Sequence, residues 1–350
     1  MTRAGESPNL SEELGTIDSL AKRDGQTATG VYLLTGHSEH MGQSGQARLQ
    51  LTLEDATGRA TAFVWPEARD AVAITDAPTP VSVMATVQLF DGKAQLKVHG
   101  LEAANLECVM SATDLLPRRR CPDTALAALS RLTRLERELP APLDSFLRRV
   151  LLDSRISLAF LRCRASVSHH HSLVGGLLTH STEMLDLAGE ITQQTIPSDA
   201  WSPYLAQLAY LLHDLGKLKS VGELRRPEHA LIVGHEFLTI EMLAPHLRWL
   251  EEQDARLAVA LRHVFAYLAT PFRGRTTPQH IIAEVVETLD QWSAAKHNGR
   301  TLDHLLNRPA SSRGRFVPTP RNKTPFGCEQ RPIGRFPGEH LGCRRTLANL

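Results

Sequence analysis

Two stretches concentrate the side chains that could do metal or acid–base chemistry. In SHHHSLVGGLLTHS, residues 168–181, His169, His170 and His171 run together, two glycines follow, and His180 comes after a Leu-Leu pair. In AYLLHDLGKLKS, residues 209–220, His213 and Asp214 are adjacent at the end of an apolar run, with Gly216 and Lys217 just beyond. Gly216 reads as a helix stop, so the helix ends where two ligand-type side chains emerge. Neutral imidazole beside carboxylate suits Mn²⁺, Fe²⁺ or Zn²⁺ better than Mg²⁺, which prefers oxygen ligands and keeps its waters. Lys217 reads either as a partner for a phosphate oxygen or as a cation favourably placed at a helix C-terminus.

Gly175 and Gly176 raise a question of their own. Two adjacent glycines in a helix interior lose roughly 2 kcal/mol of propensity relative to alanine. His171 and His180 are nine residues apart, which at about 100° per residue puts them on opposite faces of a straight helix. Either a helix begins near Leu173 and the triple histidine lies in a loop above the site, or the glycines bend the helix. Gly176 lies one turn before His180, where a missing side chain admits another backbone, a metal or a phosphate. On this reading His180 holds metal while His170 and His171 help to bind phosphates. The alternatives are buried, hydrogen-bonded core histidines at 180 and 213, and a solvated polar helix start at 169–171.

The surrounding chain must supply elements that carry these groups. At 350 residues, 42% hydrophobic and a formal charge of +1, it is long enough for two ordinary domains. Near-neutral charge argues against tight, purely electrostatic binding of nucleic acid but leaves room for a local basic groove. Five cysteines without a CxxC pair suggest neither a disulfide framework nor a zinc ribbon. No run approaches a membrane span, and MTRAGESPN lacks the apolar stretch of a signal peptide, so a cytoplasmic location without membrane contact is expected.

From Gly25 to Leu101 the apolar pattern alternates, with turn signals at Asp55–Gly58 and Asp91–Lys93. About five strands result, suiting a small closed barrel of the oligonucleotide-binding (OB) type, with an SH3-like barrel or half sandwich as alternatives. Beyond SATDLLPRRRCPDT the apolar spacing turns helical. The expected fold class is therefore a five-stranded OB-like barrel followed by an all-α helical bundle. Its expected divisions are residues 15–110 (barrel), 111–124 (linker), 125–306 (helical domain) and 307–350, a basic, disordered tail. On the barrel, Tyr32, Phe63, Trp65 and Phe90 with Arg59, Lys93 and Lys97 are candidates for base stacking and backbone contact. Tyr32, Trp65 and Lys93 head that set, although alternation leaves open which face of Phe63 and Trp65 points inward.

The histidine and aspartate motifs resemble those of the HD-domain metal-dependent phosphohydrolases, whose pattern is a His, a His-Asp doublet and a distant Asp. The resemblance maps these onto His180, His213, Asp214 and Asp290. GGLLTHS and LLHDLGK, with GHEF at His235 and LRHVF at His263, look like the HD domain of the YhaM-type 3′-to-5′ exoribonucleases, in which an OB domain comes first. The triple histidine and LDQWSAA, residues 289–295, are similar to the TraI-type domain of MobH conjugative relaxases.

Both resemblances imply phosphodiester chemistry on nucleic acid. They imply one or two divalent ions, Mn²⁺ foremost with Fe²⁺, Zn²⁺, Co²⁺ or Mg²⁺ as alternatives, held by His180, His213, Asp214, His235, His263 and Asp290. Asp214 and Lys217 would act in catalysis. The implied partner is single-stranded nucleic acid, RNA ahead of DNA, and a homo-oligomer is compatible with the sequence. The chain departs from the exoribonuclease pattern at His263, which lacks a second histidine beside it. It departs also at Leu173, where a tyrosine is usual, and at Glu287 and Asp290, of which the relaxase resemblance favours Asp290 as ligand. The rival functions are a relaxase-related DNA-processing protein, an HD hydrolase of small nucleotides, and a nucleic-acid-binding protein with a vestigial site.

Overall fold

The computed structural model describes residues 13–41, 47–73, 76–168, 171–224, 232–270 and 280–297. The expected tail at 307–350, together with His169 and His170, lies outside the described residues. Strands β1 (Thr27–Met41), β2 (Ala47–Glu54), β3 (Arg59–Val64), β4 (Thr79–Phe90) and β5 (Lys93–Ala103) close into a barrel in the order β1-β2-β3-β5-β4. β1 pairs antiparallel with both β2 and β4, and β3 pairs parallel with β5. Period-two alternation sends Leu49, Leu51, Leu53, Ala62, Val64, Val83, Ala85, Leu96 and Val98 inward, where all are buried. The barrel is therefore OB-like, as the strand pattern predicts.

The turn between β2 and β3 is built by Asp55, whose carboxylate accepts from the backbone N–H of Ile17 (2.7 Å), Thr57 (2.7 Å) and Gly58 (2.9 Å). Alternation also decides the faces left open by sequence. Ala62 and Val64 point in, so Phe63 and Trp65 face outward and are half-buried. Tyr32 requires a correction: it is 1% exposed, sits in the barrel core and donates its hydroxyl to the Gly15 carbonyl at 2.8 Å. A side chain so placed cannot stack on a base.

The helical part contains α1 (Leu126–Glu138), α2 (Leu143–Leu151), α3 (Ser157–Arg162), α4 (Gly176–Thr182), α5 (Leu185–Thr195), α6 (Ser202–Leu212), α7 (Lys217–Ser220), α8 (His235–Gln253), α9 (Ala255–Ala269) and α10 (Ile281–His297). Helix α6 is apolar nearly all round, and its Leu205, Ala206, Leu208, Ala209, Tyr210, Leu211 and Leu212 are buried, as expected for a helix enclosed by others. It packs against α4, α5, α9 and α10. Among the described residues no helix is long and apolar enough to cross a membrane.

Segment 111–124, expected as a linker from its prolines and arginines, is instead built into the helical core. Ala112, Leu115, Leu116 and Cys121 are buried there. Glu136 of α1, itself buried, accepts from the Ala112 backbone N–H at 2.5 Å, from the Ser111 hydroxyl at 2.8 Å, and from Thr113 through both N–H (3.0 Å) and hydroxyl (2.8 Å). A buried carboxylate needs such donors. Here they come from the segment that composition marks as a spacer.

A second, half-buried carboxylate fixes the entry to α3. Asp153 accepts from the Arg155 backbone N–H (2.8 Å) and guanidinium (2.6 Å) and from His246 Nε2 of α8 (2.9 Å). Burial alone would raise its pKa, but the bonds from His246 and Arg155 prevail and hold it below its ordinary value of 3.8. A depressed folded-state pKa contributes stability that is present above the unfolded value and lost as pH falls below it. Urea unfolding of Asp153→Asn against the wild type should therefore show a stability deficit at pH 6 that shrinks as the pH is lowered beneath 3.8.

Candidate metal centre

Four elements deliver five groups to a common point: α4 brings His180, the turn after α6 brings His213 and Asp214, the first residue of α8 brings His235, and α10 brings Asp290. His180 Nε2 lies 3.2 Å from Asp214 Oδ2 and 3.4 Å from Asp290 Oδ1. His213 Nε2 lies 3.4 Å and 3.7 Å from the same two oxygens. One ligand atom from each of His180, His213, Asp214 and Asp290 falls within 4.8 Å of all the others. The second oxygen of Asp214, Oδ1, faces His235 Nε2 at 3.0 Å. Lys217 Nζ donates to Asp214 Oδ2.

His180 is fully buried, whereas the Asp290 side chain is 45% exposed and marks the side from which solvent reaches the cluster. Burial would lower the pKa of His180, but Asp214, Asp290 and Glu183 outweigh it and push it up to about 10. Asp214 is held well below the usual carboxylate range, because His213 and Lys217 with bonds from His180 and His235 overcome the cost of burial. Asp290 is held low in the same way by His180 and His213.

These side chains fit a divalent ion on an observation independent of their motif. His213 Nδ1 lies 2.6 Å from the Tyr210 carbonyl, which can only accept, so that nitrogen carries the proton. Its Nε2 is buried, aimed at two carboxylates, and makes no hydrogen bond among the described residues. An imidazole whose far nitrogen is fixed by a carbonyl presents its other lone pair as a metal ligand. A cluster held together by protons on imidazole is also one in which a divalent cation can take their place.

Glycines set the two close approaches on which this geometry depends. A Cβ on Gly216 would stand 1.9 Å from the His235 carbonyl oxygen and 2.7 Å from Thr239 N. The His-Asp turn thus lies directly on the first turn of α8. Thr239 locks the contact, accepting from Gly216 N at 2.8 Å while its own hydroxyl lies within 2.9–3.0 Å of the His235 and His213 carbonyls. Gly216→Ala should destabilise the fold by about 3 kcal/mol, the upper range for overpacking, read as a lowered midpoint in urea.

At the other end Gly175 adopts φ 80° and α4 begins at Gly176, whose Cβ would meet the His171 carbonyl oxygen at 1.9 Å. The last residue of the triple histidine leads into α4 by a loop: His171, with φ 54°, precedes α4 and folds its backbone onto Gly176. No bent helix is needed. His171 Nε2 reaches Glu183 Oε1 at 3.2 Å, so His171 is engaged with a carboxylate beside the cluster.

The remaining sequence candidates separate. Of Glu287 and Asp290 it is Asp290 that reaches the cluster. His263 is not brought to it: its ring lies 5.5 Å from His280 and 6.4 Å from Tyr267. Lys93 is exposed at the start of β5 on the barrel, and Trp65 comes directly after β3, half-buried. Sequence reading passed over Arg48, whose guanidinium lies 4.5 Å above the Phe63 ring and 5.7 Å from Trp65. It also passed over Glu183 and Ser293, which stand behind His180. Glu183 was legible as the i+3 neighbour of His180 on the same helix face.

A model of the HD domain matches residues 177–295. The chain is 26% identical over 292 residues to "3'-5' exoribonuclease YhaM" of Bacillus subtilis (strain 168), covering 81% of this chain and 89% of that protein. It is 24% identical over 246 residues to the protein of the same name from Bacillus velezensis, covering 69% of this chain and 75% of the other. Among solved structures, the second OB-fold domain of replication protein A from Methanococcus maripaludis matches at 16% identity, with 23% of this chain and 87% of that chain covered and a TM-score of 0.19.

Proposed function

We propose that this chain, an HD-superfamily phosphohydrolase of the YhaM type, degrades single-stranded RNA from its 3′ end in a metal-dependent reaction. The observation that carries the reading is the convergence of His180, His213, Asp214 and Asp290 within 4.8 Å of one another, at a point open to solvent on the Asp290 side. Those four residues would hold the ion, with Mn²⁺ suited to the imidazole and carboxylate donors and Fe²⁺, Zn²⁺ or Co²⁺ close behind. A second ion would draw on Asp214 Oδ1 and His235, which already face each other. When bound, a divalent ion polarises a phosphoryl oxygen and makes water nucleophilic near neutral pH.

The chain's own residues do the rest. Lys217 neutralises part of the Asp214 charge and keeps that carboxylate aimed at the three imidazoles. His171, anchored on Glu183, stands beside His180 with ring centroids 5.7 Å apart. On the barrel, Arg48 stacked over Phe63 and Trp65 forms a cationic aromatic platform of the kind on which successive bases stack. Lys93 and the 69% exposed Phe90 lie at the β4–β5 turn. The proposed division of labour is a barrel within residues 15–110 that grips the strand and a helical domain within 125–306 that cuts it, in the cytoplasm.

The test is a 5′-labelled single-stranded oligonucleotide, as RNA and as DNA, incubated with Mn²⁺. The reading expects RNA shortened stepwise from its 3′ end with release of mononucleotides. Cleavage of DNA alone would favour the relaxase-related function, hydrolysis of mononucleotides alone a nucleotide hydrolase, and tight binding without cleavage under any divalent ion a binding protein.

A further inference from the structure

We infer that Glu183 is a positioning residue for the metal centre, fixing through Ser293 which nitrogen of His180 points at the ion. The inference rests on reading His180, His213, Asp214 and Asp290 as that centre.

Three imidazoles direct Nε2 toward Asp214, and each is held differently at its other nitrogen. His213 Nδ1 is held by the Tyr210 carbonyl at 2.6 Å and His235 Nδ1 faces Glu236 Oε2 at 3.4 Å. His180 Nδ1 lies 3.2 Å from Ser293 Oγ and 3.7 Å from Glu183 Oε1. A serine hydroxyl has a single proton. Ser293 donates that proton to Glu183 Oε1, so toward His180 it acts as an acceptor. Nδ1 of His180 therefore carries a proton, and Nε2, aimed at Asp214 and Asp290, is the nitrogen that can give its lone pair to an ion once its own proton is displaced. This is the carboxylate–histidine–metal arrangement extended by one hydroxyl.

Glu183 is itself anchored from several sides. Oε1 accepts from His171 Nε2 at 3.2 Å as well as from Ser293, and Oε2 faces His297 Nε2 at 3.3 Å. These partners come from the loop before α4 and from the last turns of α10. Ser293 is one turn beyond Asp290 on α10, so the bond from Ser293 to Glu183 holds the helix face that carries Asp290 against the end of α4. One carboxylate thus orients His180 through Ser293 and Asp290 through its helix. The negative charge it places behind His180 also strengthens that imidazole as a ligand.

The experiment titrates Mn²⁺ into the full chain by calorimetry for the wild type, Glu183→Gln, Glu183→Asp and Ser293→Ala, with far-UV circular dichroism as the check on folding. The visible absorption of each protein loaded with Co²⁺ is recorded in parallel. Removal of such an outer partner weakens metal binding roughly 10- to 100-fold. The expected result is a loss of that size in Glu183→Gln, a smaller loss in Ser293→Ala, partial recovery in Glu183→Asp, and altered Co²⁺ bands in Glu183→Gln. Should Glu183→Gln fail to fold, Ser293→Ala carries the same readout. Wild-type binding matched by Glu183→Gln and Ser293→Ala in affinity and spectrum would overturn the role of Glu183 alone. A stoichiometry that drops by one ion with the remaining affinity unchanged would overturn it in favour of a separate ion on His171 and Glu183. A folded wild type that takes up no divalent ion would overturn the centre itself and this role with it.

Discussion

Asp214→Asn should abolish metal-dependent hydrolysis while leaving a folded protein. Both oxygens of Asp214 are committed: Oδ2 to His180, His213 and Lys217, Oδ1 to His235. An amide preserves the shape but offers one oxygen in place of two, carries no charge, and turns an N–H₂ toward an imidazole nitrogen that should face a cation. Metal-ion catalysis supplies several kcal/mol of charge stabilisation. Losing about 3–5 kcal/mol of it corresponds to a roughly 10²- to 10⁴-fold fall in rate. Single-turnover cleavage of labelled RNA at saturating Mn²⁺ measures this, with circular dichroism to confirm the fold. A variant that keeps more than a tenth of the wild-type rate would mean that Asp214 does not hold the ion.

A large effect on stability is also expected at Glu54, outside the cluster. Its side chain is fully buried at the end of β2, accepting from Arg59 Nε at 2.7 Å through one oxygen and from Arg120 Nε at 2.5 Å through the other. Arg119 stands 3.9 Å away. The Arg120 carbonyl in turn accepts from Arg162 Nη1 of α3 at 3.0 Å. Glu54 therefore ties the barrel to the segment that leads into the helices. Breaking a buried ion pair from one side costs about 3–5 kcal/mol, and because these arginines are partly exposed Glu54→Ala should fall near 3 kcal/mol. Urea unfolding reads the loss, and limited proteolysis should show faster cutting around residues 117–121. A midpoint equal to that of the wild type would contradict the assignment.

How much of this was legible in the sequence follows from range. Strand alternation and helical spacing are local, so the order of barrel and helices could be read. The parallel pairing of β3 with β5 is long-range, and strand count alone left other barrels open. Tyr32 was misplaced because GVYLL is apolar on both faces of the strand, which hides the inner one. The 111–124 segment was misread because Pro and Arg content predicts a spacer, whereas Glu54 and Glu136 are buried carboxylates that need its donors. His180, His213 and Asp214 stood out because they interrupt apolar runs beside glycines, and Asp290 was reached through family resemblance. Gly216 was marked as a helix stop, and Gly176 as a place where another backbone, a metal or a phosphate could come close. Which backbones are seated there, those of His171 and of His235, became visible only in three dimensions.

The account stands on one divalent ion shared by groups scattered from α4 to α10. The most direct measurement is an anomalous difference map from crystals of the protein loaded with Mn²⁺. The account predicts a peak in contact with His180 Nε2, His213 Nε2, Asp214 and Asp290, and its disappearance in Asp214→Asn. A loaded crystal with its strongest peak elsewhere, beside His263 and His280 for example, or with no peak between these four side chains, would contradict it.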